Sequence, residues 1–203
     1  MAAGASGGRV PFVGLTGGIA AGKSEALRAL EELGAATISS DAVVHELLAT
    51  DELRDLLVER FGNEVAHDGQ VDRTAVAELV FAEPEAREWL EQELWPRVGE
   101  RIAAWREQLA DRPDPPRAGV VEVPLLFEAG MEPGFDATVA IVAGDDLRDE
   151  RAADRGHAGV ESRTGRQLSQ REKADRADFV VENDGDLVDL ERKMSQILDE
   201  VTR

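Results

Sequence analysis

The 203-residue chain has no cysteine and only 3 histidines. Without a thiol there is no disulfide scaffold, thiolate metal site or cysteine nucleophile, and so few histidines argue against a histidine-rich metal centre. Positive charge is scarce too: 23 Lys and Arg stand against 42 Asp and Glu, a net charge of −19. Such a chain does not hold nucleic acid through a general basic surface. No stretch approaches the roughly 18 apolar residues of a membrane span. The apolar run at 10–15 is interrupted by Pro11 and Gly14, so it does not read as a secretory leader. These absences leave an acidic, cytoplasmic protein that uses neither membrane nor nucleic acid. At roughly 150 residues per domain, the length expects one domain with room for an insertion. With 42% hydrophobic and 32% charged residues, the composition is that of an ordinary globular protein, and the core needs no cross-link.

Charge is unevenly placed. Residues 1–34 carry no net charge, and residues 148–176 carry +2, with seven Arg and one Lys against six acids, so the remaining segments hold −21. Segments cleared of negative charge suit an anion. A solvated helix of mixed charge fits the same count, and charge alone does not choose.

Hydrophobic spacing predicts alternating strands and helices. Residues 10–16 (VPFVGLT) form a short apolar run ending in glycines, a first strand with Pro11 tolerated at its start. Ala26, Leu27, Leu30 and Leu33 then fall at helical spacing over 23–33, with Gly34 as the stop. A brief strand at 36–39 follows. From 42 to about 109 the chain reads as almost wholly helical, with Leu53, Leu56, Leu57 and Phe61 as one core stripe and Trp89, Leu90, Leu94 and Trp95 as another. Three prolines make 111–117 a loop. Residues 119–123, 137–142 and 178–181 read as buried parallel strands. Leu187, Leu190, Met194, Ile197, Leu198 and Val201 line a last amphipathic helix. Strands separated by helices imply an α/β fold with a parallel sheet and helices on both faces. The Gly/Ala-rich residues 1–9 are expected to be disordered.

Chemistry enters at Gly17, Gly18, Ile19, Ala20, Ala21, Gly22, Lys23 and Ser24, which match G-x-x-x-x-G-K-[ST] between a predicted strand and a predicted helix. Glycines let backbone N–H groups converge on a phosphate, and the helix N-terminus adds a favourable dipole. Lys23 is expected at the β- and γ-phosphates and the Ser24 hydroxyl on Mg²⁺, so the donor is ATP or GTP. The loop does not say what receives the phosphate. Asp41 follows the second strand, where ligands gather in open α/β sheets. It suits a base that takes a proton from an attacking hydroxyl, and it suits a plain helix N-cap equally well.

Four segments together resemble the bacterial dephospho-CoA kinases: GLTGGIAAGKS at 14–24, the Asp41 segment, PLLFE at 124–128, and ADFVVEN at 177–183. The arginines Arg151, Arg155 and Arg163 followed by Gln167-Leu168-Ser169, together with Asp72-Arg73 and Val80-Phe81, add to the likeness, which covers about residues 10–200. The resemblance implies a three-layer P-loop NTPase fold over 10–203, with a helical insertion on the acceptor side at about 42–117 and an arginine-bearing lid at about 145–175. It implies ATP-dependent phosphorylation of the ribose 3′-hydroxyl of dephospho-CoA, the last step of coenzyme A synthesis, with Mg²⁺ as cofactor and a monomer or small homo-oligomer as the assembly. On it, the loop residues with Glu25 bind ATP, Asp41 is the base, and Arg151, Arg155 and Arg163 join Lys23 in neutralising phosphate. Glu122, near a strand end, sits where an acid assists Mg²⁺ through water; backbone N–H groups satisfying it is the alternative.

This chain departs from the family pattern at three places. Ala20-Ala21 stands where the family usually shows Gly-Ser or Gly-Ala, and alanine tolerates positive φ less readily. Ser39-Ser40-Asp41 replaces an Asp-Ala-Asp run, and Trp95-Pro96 replaces a His-Pro pair. Two other readings are compatible with the loop: a different small-molecule or nucleotide kinase, and a non-catalytic nucleotide-binding regulator.

Overall fold

The computed structural model describes residues 9–154 and 167–203. The expected disordered arm therefore lies almost wholly outside the described residues, as do Arg155 and Arg163. Two compact units divide the chain, Ser39–Trp105 and the remainder.

The larger unit is built on a five-stranded sheet of β1 (Phe12–Gly17), β2 (Ala36–Ser39), β5 (Gly119–Glu122), β6 (Ala137–Val142) and β7 (Phe179–Glu182), in the order β2-β5-β1-β6-β7. The central strand β1 runs parallel to β5 on one side and β6 on the other, and β7 adds parallel outside β6. All six residues of β1 are buried, as a strand covered on both faces must be. Its side chains alternate between two environments, following the period of two. Val13 and Leu15 join Val120, Val139 and Ile141 in an apolar core with Ala26 and Leu30 of α1 (Lys23–Glu32), and with Leu190, Met194 and Leu198 of the last helix, α8 (Leu187–Val201). On the other face Phe12 stacks on Phe135, ring centroids 5.4 Å apart. A Cβ at Gly14 would strike Leu126 and Phe135, and Thr16 meets the loop after β5 through a hydrogen bond to the Pro124 carbonyl. Helices α6 (Asp145–Asp154) and α7 (Gln170–Arg176) complete this unit.

The smaller unit holds α2 (Ser40–Leu48), α3 (Asp51–Phe61), α4 (Arg73–Ala82) and most of α5 (Pro84–Ala110). The segment is almost wholly helical, as expected, with one strand-forming interruption. A hairpin of β3 (Ala66–His67) and β4 (Gln70–Val71) interrupts it, turned by Asp68 at φ 50° and Gly69 at φ 77°. Asp-Gly with both residues at positive φ matches the twist of a two-residue hairpin. Leu53 and Leu57 are fully buried, and Trp89 packs edge-on against Phe61 at 5.1 Å. Trp95 is not core: it is 40% exposed, because the buried stripe of α5 runs through Ala86, Leu90, Leu94, Val98 and Ile102 at intervals of four, and Trp95 lies one residue off it. Among the described residues no helix is long and apolar enough to cross a membrane.

Met194 is completely buried at the centre of the α1–α8–sheet core. Met194→Ala is expected to lower stability by about 2–5 kcal/mol, at roughly 2–4 °C of Tm per kcal/mol. Thermal unfolding followed by circular dichroism checks this, and an unchanged Tm would show that the cluster does not carry the fold.

Candidate active site

Six buried residues of β1 deliver the chain into the loop, and the first turn of α1 receives it. Gly17 ends the strand in register with Ile141 of β6. The turn then passes through two left-handed residues, Ala20 at φ 60° and Gly22 at φ 98°. Gly22 is the N-cap of α1, and only glycine fits there for two reasons. Its φ is disfavoured for a side chain, and the Asn183 amide occupies the space a Cβ would take. That amide is held in place, its Nδ2 donating to the Ala21 carbonyl at 2.8 Å. Ala20 adopts the left-handed conformation without being glycine, at a local cost of about 1–2 kcal/mol.

Lys23 Nζ donates to the carbonyls of Gly18 at 2.9 Å and Gly17 at 3.2 Å, which keeps the ammonium over the loop. Ser24, the second residue of α1, is exposed. Glu25 pairs with Arg28 one turn on at 3.2 Å. Glu122 ends β5, half-buried. Arg151 of α6 donates from both Nη atoms to the Asn183 carbonyl at 3.2 Å, and its guanidinium lies near Gly22. These residues, from Gly17 to Glu25 with Glu122 and Arg151, all lie on the larger unit; Arg155 and Arg163 lie outside the described residues. Asp41 belongs to the smaller unit. It is not the N-cap of α2: Ser39 holds that position with φ −104° and ψ 132°. Asp41 is an exposed first-turn residue with no hydrogen bond or ion pair among the described residues, and the helix dipole favours a carboxylate there.

Three functional contacts were not apparent in the sequence. Arg148 Nε donates to the Ile19 carbonyl at 3.0 Å while its Nη1 pairs with Asp145 at 2.8 Å, so a second arginine of α6 holds the loop beside Ala20. Asn183 joins Ala21 to Arg151. Gln170 of α7 reaches Gly18. An asparagine at the exit of an apolar strand was the available signal for one of them; the arginine and glutamine carried none. The loop, the residues after β6 and the start of α7 line a cleft of about 720 Å³, among them Gly18, Ile19, Gly144, Arg148 and Gln170. That is the size of a ligand site.

A glycine-rich turn leading from a central parallel strand into a helix N-terminus, with a lysine folded over it, defines the P-loop class of nucleotide-binding folds. The family model for dephospho-CoA kinase matches residues 11–189, and the chain belongs to that family. It is 34% identical over 193 residues to the dephospho-CoA kinase of Protochlamydia amoebophila, covering 93% of this chain and 95% of the relative. Among solved structures it is similar to TT1252 from Thermus thermophilus, with a TM-score of 0.79 and 33% identity over 97% of this chain and 100% of that one. It is also similar to the dephospho-CoA kinase from Campylobacter jejuni, with a TM-score of 0.65 and 25% identity over 96% and 98%.

Ala20→Gly removes the left-handed cost of about 1–2 kcal/mol and adds about 0.4–1 kcal/mol of unfolded-chain entropy. The variant is therefore expected to gain up to about 1.6 kcal/mol, at roughly 2–4 °C of Tm per kcal/mol. A lower Tm on calorimetry would show that Ala20 is not strained.

Proposed function

We propose that the chain transfers the γ-phosphoryl group of ATP to the ribose 3′-hydroxyl of dephospho-CoA, giving CoA and ADP. The observation that carries this reading is the Lys23-bearing turn at the end of β1 in a chain that belongs to the dephospho-CoA kinase family over residues 11–189. Amides of Gly17, Gly18, Ile19, Ala20, Ala21 and Gly22 cradle the polyphosphate, with Glu25 in the helix turn that follows. Lys23 and Arg151, joined by Arg155 and Arg163, offset the charge that spreads over the transferring group. Asp41 takes the proton of the 3′-hydroxyl as its oxygen bonds to the γ-phosphorus and the bond to the bridging oxygen breaks. Residues 42–117 form the acceptor side and residues 145–175 the lid.

The Ser24 hydroxyl and the Glu122 carboxylate are hard oxygen donors of the kind Mg²⁺ takes. Ser24 lies in the first turn of α1, after the loop that leaves β1, and Glu122 ends β5, the strand beside β1, a donor set that suits the ion. When bound, Mg²⁺ supplies charge neutralisation at the phosphates. The same reading places the enzyme in the cytoplasm.

Incubation with ATP, Mg²⁺ and dephospho-CoA should yield CoA by mass spectrometry, with adenosine and AMP much poorer acceptors because they lack the pyrophosphate and pantetheine arm. Faster phosphorylation of AMP, gluconate or shikimate would overturn the acceptor but leave a kinase, and ATP binding with no transfer to any acceptor would indicate a regulator. Asp41→Asn keeps the shape but cannot accept the proton, so turnover should fall by roughly 10²–10⁴ with little change in ATP affinity. Full turnover in that variant would reduce Asp41 to a dipole-complementing residue.

A further inference from the structure

Only three of the 23 cationic side chains in this chain are lysines, Lys23, Lys173 and Lys193. One of them, Lys173 of α7, is completely buried. An ammonium has three N–H donors, and Lys173 Nζ meets three oxygens: the Pro124 carbonyl at 2.6 Å, Glu128 Oε1 at 2.8 Å and Thr16 Oγ1 at 3.4 Å. Glu128 Oε1 also accepts the Leu168 N–H at 2.8 Å. Its other oxygen, Oε2, is buried and has no hydrogen-bond partner among the described residues.

This is a poor way to gain stability. Burying two charges is repaid only when every polar atom is satisfied, and an apolar pair of the same volume often does as well or better. One orphaned carboxylate oxygen makes the balance worse. What the pair does provide is geometry. It joins α7 to Thr16, the penultimate residue of β1, and to Pro124, the second residue after β5. One turn earlier on the same helix face, Gln170 makes a matched pair of hydrogen bonds with Ala143, the residue just past β6. Its Oε1 accepts the Ala143 N–H at 3.0 Å, and its Nε2 donates to the Ala143 carbonyl at 2.9 Å. The Gln170 side chain lies against Gly18, close enough that a Cβ there would overlap it. The helix carrying both residues is fixed at its start by a capping box: the Ser169 hydroxyl accepts the Glu172 N–H, and the Glu172 carboxylate accepts from the Ser169 N–H and hydroxyl. Those bonds hold the Glu172 carboxyl below its usual range.

We propose that α7 is a brace for phosphoryl transfer, in which Lys173, its counterion Glu128 and Gln170 are positioning residues that fix Thr16 and Gly18 on either side of the entrance to the phosphate loop. The proposal rests on the kinase reading above. Polyphosphate binding is spread over many loop amides and a helix terminus, so it tolerates a small displacement of the entrance. In-line transfer does not: a misplacement of about 1 Å can cost on the order of 10² in rate. Loss of the brace therefore appears in kcat rather than in KM for ATP.

The test uses the full chain with dephospho-CoA as acceptor. The double variant Lys173→Met with Glu128→Leu replaces the ion pair by apolar groups and leaves no unpaired buried charge. We expect a Tm at or above that of the parent, a KM for ATP within about twofold, and a kcat at least about tenfold lower. Gln170→Ala disturbs no charge and should show the same split, with kcat at least about fivefold lower. If the double variant does not fold, Gln170→Ala decides alone. Parental kcat in the folded variants overturns the brace, as does a loss confined to KM. A parent that makes no CoA overturns the kinase reading instead, so the two failures are distinguishable.

Discussion

β1 is buried along its whole length, and the loop that follows it can hold a strained conformation only because the strand beneath it cannot give way. Val13 and Leu15 on one face are locked among α1, α8 and the neighbouring strands. Phe12, Gly14 and Thr16 on the other are closed over by Phe135, Leu126 and Lys173. A left-handed alanine persists where the surroundings over-determine the backbone, and here they do so on both sides. Arg148 holds the carbonyl before Ala20 and Asn183 the carbonyl after it. The core thus sustains a local cost in the turn between β1 and α1.

The amides alone do not distinguish a resting loop from a loaded one, and the cations around them bear on that difference. Among the described residues Arg151 is held by a backbone carbonyl, that of Asn183, rather than by a carboxylate. A guanidinium released from a neutral carbonyl loses less than one released from an ion pair, and it gains a charge-assisted bond to phosphate. Arg148 is committed to Asp145 as well as to Ile19, which suits a group that fixes the loop. Two arginines three residues apart on α6 therefore differ in what they hold, and the proposed transfer would draw on Arg151 rather than Arg148.

Much of this was legible because it is local. The strand–loop–helix at 10–33 and the stripe through Leu190, Met194 and Leu198 are patterns within one or two dozen residues. The second strand at 36–39 is observed with the expected bounds. What sequence reasoning missed follows from range or from scale. Lys173 meets Thr16 across 157 positions and Asn183 meets Ala21 across 162, and no periodicity reports such a pairing. The β3–β4 hairpin has two residues per strand, too short to alternate, so its only signal was the Asp68-Gly69 turn. Trp95 departs from its expected core position because burial on α5 follows a spacing of four that passes through residue 94, and apolar identity alone does not report that spacing.

The charge count also changes meaning once the fold is known. Residues 148–176 carry a net +2, yet that number includes Lys173, which is fully buried and neutralised by Glu128 from outside the segment, and Arg148, which is paired with Asp145. Neither presents a full charge to an incoming polyanion. A buried, paired ammonium has a field largely cancelled by its counterion at the distance of a ligand, so its contribution is structural. At the described part of the loop, the positive character belongs instead to Lys23 and Arg151, held at backbone carbonyls over the amides. In a protein of net charge −19, these two cations beside Gly22 thus give the described part of the loop a local field opposite in sign to the net charge.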